Sequence, residues 1–138
     1  MDGSVHILNP EQTRQMAELA EQAQVELSRF AGEPVDYDAT ALQLLDEWVE
    51  RQPSPPRALR ILWTAFVGEI FRRRHGGRWA LRQEDGQQLL ILCPTEGGAF
   101  HAVAVTDQID RRIANGMADS LALFYLHESI LLRQPRDL

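Results

Sequence analysis

The stretch LRILWTAFVGEIFRRRHGGRWALRQEDGQQLLILCP, from Leu59 to Pro94, decides the fold. In its first half Leu59, Leu62, Trp63, Ala65, Phe66, Val67, Ile70 and Phe71 cover most of a helix's circumference. A helix apolar nearly all round is buried against other elements on several sides. Gly68 in its interior costs about 1 kcal/mol relative to alanine, and a close approach by another backbone would explain it. Arg72, Arg73 and Arg74 suit the negative end of the helix dipole, and His75-Gly76-Gly77 ends the helix. The period then changes to two. Arg78 to Gln83 alternates, with Trp79 and Leu81 on one face, and Leu89 to Cys93 is a continuous apolar run. The first predicts a strand and the second a central strand covered on at least one face. Asp85-Gly86 between them is a type I′ hairpin signal.

Working outward, Asn9-Pro10-Glu11-Gln12 has capping-box spacing with proline at the first helical position. Met16, Leu19, Ala20, Ala23, Leu27 and Phe30 continue as one apolar stripe, stopped by Gly32 and Pro34. Asp38 predicts the cap of a second helix carrying Leu42, Leu45, Trp48 and Val49, ended by Pro53. Ser54 is a candidate cap for the third helix, with Pro55 in its first turn. Beyond the hairpin, Pro94 to Gly98 reads as a turn and Ala99 to Val105 as a third strand. Thr106 or Asp107 predicts the cap of a short helix closed by Asn115-Gly116. Asp119 or Ser120 opens a last helix with Leu121, Phe124, Tyr125, Glu128 and Leu132. With helices at both ends and strands in one run, the order predicts an α+β fold. It has three N-terminal helices, a three-stranded antiparallel sheet and two C-terminal helices. The length, 138 residues, suits a single domain over 1–138.

Composition narrows the chemistry. Apolar residues make up 44% and charged residues 25%, ordinary values for a folded chain. The single cysteine, Cys93, allows no internal disulfide. The opening Met1-Asp2-Gly3-Ser4 lacks an apolar signal region, and Leu59 to Phe71 is too short and too polar to span a bilayer. The expected location is cytoplasmic. All 14 basic residues are arginine, so lysine-based chemistry is excluded: no Schiff base, no pyridoxal-phosphate anchor, no P-loop. The net charge of −6 conceals a stronger pattern. Residues 1–50 hold 11 acids and 2 bases, whereas residues 51–82 hold 8 bases and 1 acid. Either the acidic segment packs over the basic one and the two screen each other, or an acidic face is kept for a basic partner.

With the segments placed, a resemblance appears. Leu45-Asp46-Glu47-Trp48, Gly68-Glu69 in the apolar helix, and Gly76-Gly77-Arg78-Trp79 entering a strand resemble a family of uncharacterised bacterial domains. So do Arg111-Arg112-Ile113-Ala114-Asn115-Gly116, Asp119-Ser120-Leu121 and Phe124-Tyr125. The likeness runs over about residues 42–126 and implies an α+β fold. The family has no assigned activity, so the resemblance carries over no functional residue.

Candidate chemistry is sparse. Glu69 shares the apolar face of Leu62 and Ala65, where an unpaired acid is costly. It is either a structural partner of Arg73 or of a sheet N–H, or an acid of raised pKa serving as general acid or base. The four histidines, His6, His75, His101 and His127, fit no metal-binding spacing. His101, on a central strand, is the best single site candidate among them. Cys93 reads as a buried small hydrophobe. Gly76-Gly77 and Gly97-Gly98 read as turns, because neither precedes a helix as a phosphate loop does. Arg72, Arg73, Arg74, Arg78 and Arg82 cluster locally, but the net charge and the absence of interleaved aromatics argue against nucleic acid. Trp48, Trp63 and Trp79 read as core, or as the lining of a pocket.

Two functional expectations follow. The first is a non-enzymatic protein-interaction domain, of accessory or immunity type, whose acidic helices dock on a basic protein partner. The second is a small-molecule binder or enzyme with Glu69, His101 and Trp63 at a pocket between the third helix and the sheet. Neither calls for a cofactor, a metal or a membrane.

Overall fold

A computed structural model of the chain describes residues 4–83 and 86–133. The elements run β1 (Val5–Ile7), α1 (Pro10–Ala31), α2 (Ala39–Glu50), α3 (Arg57–His75), β2 (Arg78–Gln83), β3 (Gln87–Pro94), β4 (Phe100–Ala104), α4 (Val105–Asn115), a 3₁₀ turn (Gly116–Asp119) and α5 (Leu121–Arg133). The fold is α+β, and the described residues form five helices and a four-stranded antiparallel sheet in the order β1-β2-β3-β4.

The sheet therefore has one strand more than the three expected, and that strand precedes the three N-terminal helices. Three residues, Val5 to Ile7, are too few to show a period. They become a strand by pairing with Ala80 to Arg82 of β2.

The core is built around α3. The α1 stripe of Met16, Ala20, Ala23 and Leu27 is buried along it. On its other sides α3 meets the sheet and α4. In the sheet, Trp79, Ile91 and Val103 stand in register across β2, β3 and β4, all buried. Phe71 takes the edges of Phe124 and Tyr125 from α5, at centroid distances of 5.8 and 5.0 Å.

The caps explain most boundaries. Asn9 Oδ1 accepts from the Gln12 N–H at 2.7 Å, while Gln12 Oε1 accepts from the Asn9 N–H at 3.0 Å. Asp38 Oδ1 accepts from the Ala41 N–H. Gly76 closes α3 in the left-handed region at φ +68°, where glycine is unstrained. Two expected caps differ. Helix α3 starts at Arg57 behind Pro56, not at Ser54. Ser54 and Pro55 each precede a proline, which disfavours helical backbone at both. Helix α4 begins at Val105, straight off β4, with no side-chain cap. Thr106 Oγ1 instead accepts from the Leu89 N–H of β3 at 2.9 Å, so its hydroxyl is committed to the sheet. The third strand accordingly ends at Ala104. At α5, Ser120 Oγ accepts from the Leu123 N–H as expected of a cap.

The β2–β3 connection spans residues 84–86, and Gly86 has φ +101°. The expected Asp85-Gly86 turn lies partly outside the described residues, as do the opening Met1-Asp2-Gly3 and the tail from Gln134. Among the described residues no helix is long and apolar enough to cross a membrane.

Candidate functional site

Two buried carboxylates organise the interior. Glu69 has no exposed side-chain surface and receives four donors. Arg72 grips it with Nε on Oε2 at 2.7 Å and Nη2 on Oε1 at 3.0 Å. Arg73 Nε reaches Oε1 at 3.0 Å, and the Trp79 indole N–H reaches Oε2 at 2.8 Å. Burial alone pushes this carboxyl up, but the donors from Arg72, Trp79 and Arg73 outweigh it and hold the pKa below the ordinary value. The raised pKa expected of a general acid is thus replaced by its opposite. The structural partner Arg73 is present, joined by Arg72 and by an indole in place of a sheet N–H. The same indole explains Gly68. A Cβ there would lie 2.0 Å from Trp79 Cη2, so the close neighbour is a side chain, not a backbone.

Asp46 is the second hub. Oδ1 accepts from Arg112 Nε at 2.8 Å and from the Leu121 N–H at 2.9 Å. Oδ2 accepts from Ser120 Oγ at 2.9 Å and from the Ala122 N–H at 3.0 Å. An acid of α2 thereby caps α5, where the helix dipole favours negative charge. Arg112 spends Nη2 on the Asp46 carbonyl and on Glu50 Oε1. A buried ion pair survives when its hydrogen-bonding positions are filled, and here both Asp46 oxygens and Arg112 Nε and Nη2 have partners. Sequence reasoning missed Asp46. The available signal was the one that exposed Glu69: an acid four after Leu42 and three before Val49, on an apolar face.

Seven of the residues that carry the resemblance sit at these hubs. Asp46, Arg112, Ser120 and Leu121 meet at one, and Gly68, Glu69 and Trp79 at the other. The motif residues hold the helices and the sheet in place.

Among the described residues no hydrogen bond joins the three site candidates to one another. His101 Nε2 lies 2.7 Å from Glu128 Oε1, joining β4 to α5. Trp63 is fully buried, edge-on to Trp48 at 5.7 Å, and its indole N–H finds no hydrogen-bond partner among the described residues. Neither touches Glu69 through a described hydrogen bond, and none of the three lines the groove described below. His75 Nε2 is 3.0 Å from Ser129 Oγ, with its pKa lowered by burial and by Arg133. Burial, with Glu128 nearby, pushes the Cys93 thiol up to about 12, so it remains protonated and unreactive at neutral pH.

Among the described residues the acidic and basic segments do not screen each other by direct pairing. Arg14 bonds Glu11 and Glu18, and Arg29 bonds Glu26, all within α1. Arg72 and Arg73 are taken by Glu69, and Arg74 donates to the Tyr37 carbonyl. Among the described residues, no ion pair joins an acid of residues 4–50 to an arginine of residues 51–82.

The candidate site is a groove of about 620 Å³ between α2, the 3₁₀ turn and α5. Its apolar wall consists of Met117, Ala122, Leu123 and Leu126, and its rim carries Glu47 and Glu50 from α2. Leu123 is 60% exposed, Leu126 56%, Met117 55% and Ile130, next along α5, 52%. Leu123, Leu126 and Ile130 fall at three- and four-residue steps, one stripe of a helix. Contiguous exposed apolar surface of this kind marks interaction sites more often than isolated exposed residues do. The polar groups at its base, Asp46 and Ser120, are occupied by the internal network. Among the described residues no cluster of three or more histidine, cysteine or acidic side chains is set to hold a metal.

No family model matches the chain, and no curated protein matches it. In fold it is similar to a protein of Bacteroides thetaiotaomicron VPI-5482 whose crystal structure was determined at 1.50 Å. The TM-score is 0.68 at 12% identity, covering 94% of this chain and 48% of that one. The chain thus spans about half the length of that protein, and the likeness is one of fold.

Proposed function

We propose that the chain is a non-catalytic protein-binding domain of the cytoplasm, and that the α2–α5 groove receives a basic, amphipathic helix of a partner protein. The observation that carries this reading is the exposed row of Met117, Leu123, Leu126 and Ile130 beside an acidic rim. A helix laid in such a groove buries apolar anchors at three- and four-residue spacing. Its arginines or lysines would face Glu47 and Glu50. Among the described residues Glu47 has no ion pair, while Glu50 holds Arg112 with one oxygen and remains 61% exposed. The acidic face of the reading is thus narrowed from the first 50 residues to one edge of α2.

The test compares tagged wild type with Leu126→Asp and Glu47→Arg as baits, then repeats the binding with the captured protein purified. Leu126→Asp places a charge among the apolar anchors and is expected to weaken binding about thirtyfold or more, the size of an interface hot spot. Glu47→Arg is expected to slow association and to reduce the salt dependence. A partner bound equally well by all three baits would overturn the reading.

A further inference from the structure

A second concave site shares no residue with the groove. It is a cleft of about 630 Å³ walled by the first turns of α1 and α3, by β2 and β3 next to their connection, and by α4. Its floor is apolar, with Met16, Ile61, Leu89 and Ile109. Its mouth is polar, with Gln15 from α1, Gln87 and Gln88 from β3, and Asp110 from α4. Arg57 and Arg60, three apart on α3, face the same space. Among the described residues neither arginine has an ion-pair partner, unlike Arg72, Arg73 and Arg112. Among the described lining residues the charge is two cations against the single carboxylate of Asp110.

The backbone adds to that balance. Arg57 is the first residue of α3, and the helix has Pro56 at its N-cap, with no side-chain cap. Its first turn also holds no acidic residue, so the positive end of the helix dipole adds to the cationic character of this wall. Guanidinium groups meet carboxylate and phosphate with paired donors. Side-chain amides supply both donors and acceptors around them. The volume falls within the range of small-molecule sites, which combine apolar walls with a few convergent polar groups.

We propose that this cleft binds a small amphiphile whose anionic head, a carboxylate or a phosphate, lies against Arg57 and Arg60. Its short apolar body covers Ile61, Leu89 and Ile109. The charge selects the head and the floor selects the body, so neither alone suffices.

Four probes test it on the full chain by calorimetric titration and amide chemical shifts: hexyl phosphate, hexanoate, hexylammonium and inorganic phosphate. The two anionic amphiphiles are expected to bind, with shifts at the first turn of α3 and at Gln87 and Gln88. Inorganic phosphate and hexylammonium should bind at least tenfold more weakly. The Arg57→Gln/Arg60→Gln variant should lose at least tenfold in affinity for hexyl phosphate while its unliganded melting temperature stays at the wild-type value. Both arginines are exposed, so their loss leaves the core intact. Leu126→Asp should bind hexyl phosphate as wild type does, which separates this site from the groove. Equal binding of hexylammonium, undiminished binding by the double variant, or no binding of either anionic amphiphile would overturn the proposal. Inorganic phosphate binding as tightly as hexyl phosphate would overturn the apolar half of it.

Discussion

Glu69 is buried, charged and answered by four donors, and these facts fix how it responds to change. Removing the charge leaves Arg72 and Arg73 to find water, since their side chains are 34% and 38% exposed. The Trp79 indole keeps an oxygen to bond in Glu69→Gln. The expected cost is about 2 kcal/mol, within the range for losing partners of buried polar groups, read as a lowered denaturation midpoint with unchanged slope. An active-site role would instead leave the stability unchanged. Because the folded-state pKa is lowered, the charge stabilises the fold fully above the ordinary carboxylate value of 4.5. That contribution fades as the pH falls through the lower folded value. The gap between wild type and Glu69→Gln is therefore expected to be widest at neutral pH and to narrow in acid. A gap that widened in acid would contradict the donor arrangement. Glu69 was conspicuous in the sequence because it interrupts an apolar face. Its partners were only half legible: Arg73 follows from helical spacing, but the Trp79 indole arrives from a strand ten residues on.

At the scale of elements, α3 and β2 are held together by one interlocking contact. Trp79 lies on Gly68, and its nitrogen is held by the carboxylate of the next residue, Glu69. Gly68→Ala would gain about 1 kcal/mol of helix propensity. It would also force a methyl to within 2.0 Å of an indole that is 1% exposed and anchored. Overpacking is expected to win, leaving the variant about 2 kcal/mol less stable. Trimming Trp79 to leucine in the same chain should recover part of the Gly68→Ala loss, a non-additivity that a double-mutant cycle measures. Strict additivity would mean that the two sites do not touch. The helices were legible because α1, α2 and α3 carry long apolar periods and recognisable stops. Strand β1 was not, because its three residues acquire their conformation from β2. The start of α3 was misplaced because consecutive prolines defer a helix that Ser54 would otherwise cap.

For the whole molecule, charge and apolar surface are distributed more locally than the sequence suggests. Glu11, Glu18 and Glu26 of α1 pair with arginines of α1, and Asp46 and Glu50 reach across to Arg112, far along the chain. Long-range pairing of that kind leaves no mark in a charge count. Part of the acidic excess of residues 1–50 is therefore spent in ion pairs. The excess also contributes a rim, Glu47 and Glu50, to a groove whose other wall comes from the last helix. Leu123, Leu126 and Ile130 could be placed on that helix from the sequence, but their exposure could not, because it depends on which side α2 and Phe71 cover. The stripe of Leu121, Phe124, Tyr125, Glu128 and Leu132 leaves these three off it without saying whether another element covers them.

The central claim is that another protein occupies this groove, and site-specific photo-crosslinking in the source cells tests it most directly. A photoreactive residue at position 126 is compared with one at Gln22, an exposed position on α1. The account predicts a discrete adduct with one other protein from position 126, absent from position 22 and abolished by adding Glu47→Arg and Leu123→Asp. The same adducts from both positions, an adduct only between two copies of this chain, or none at position 126 would contradict it.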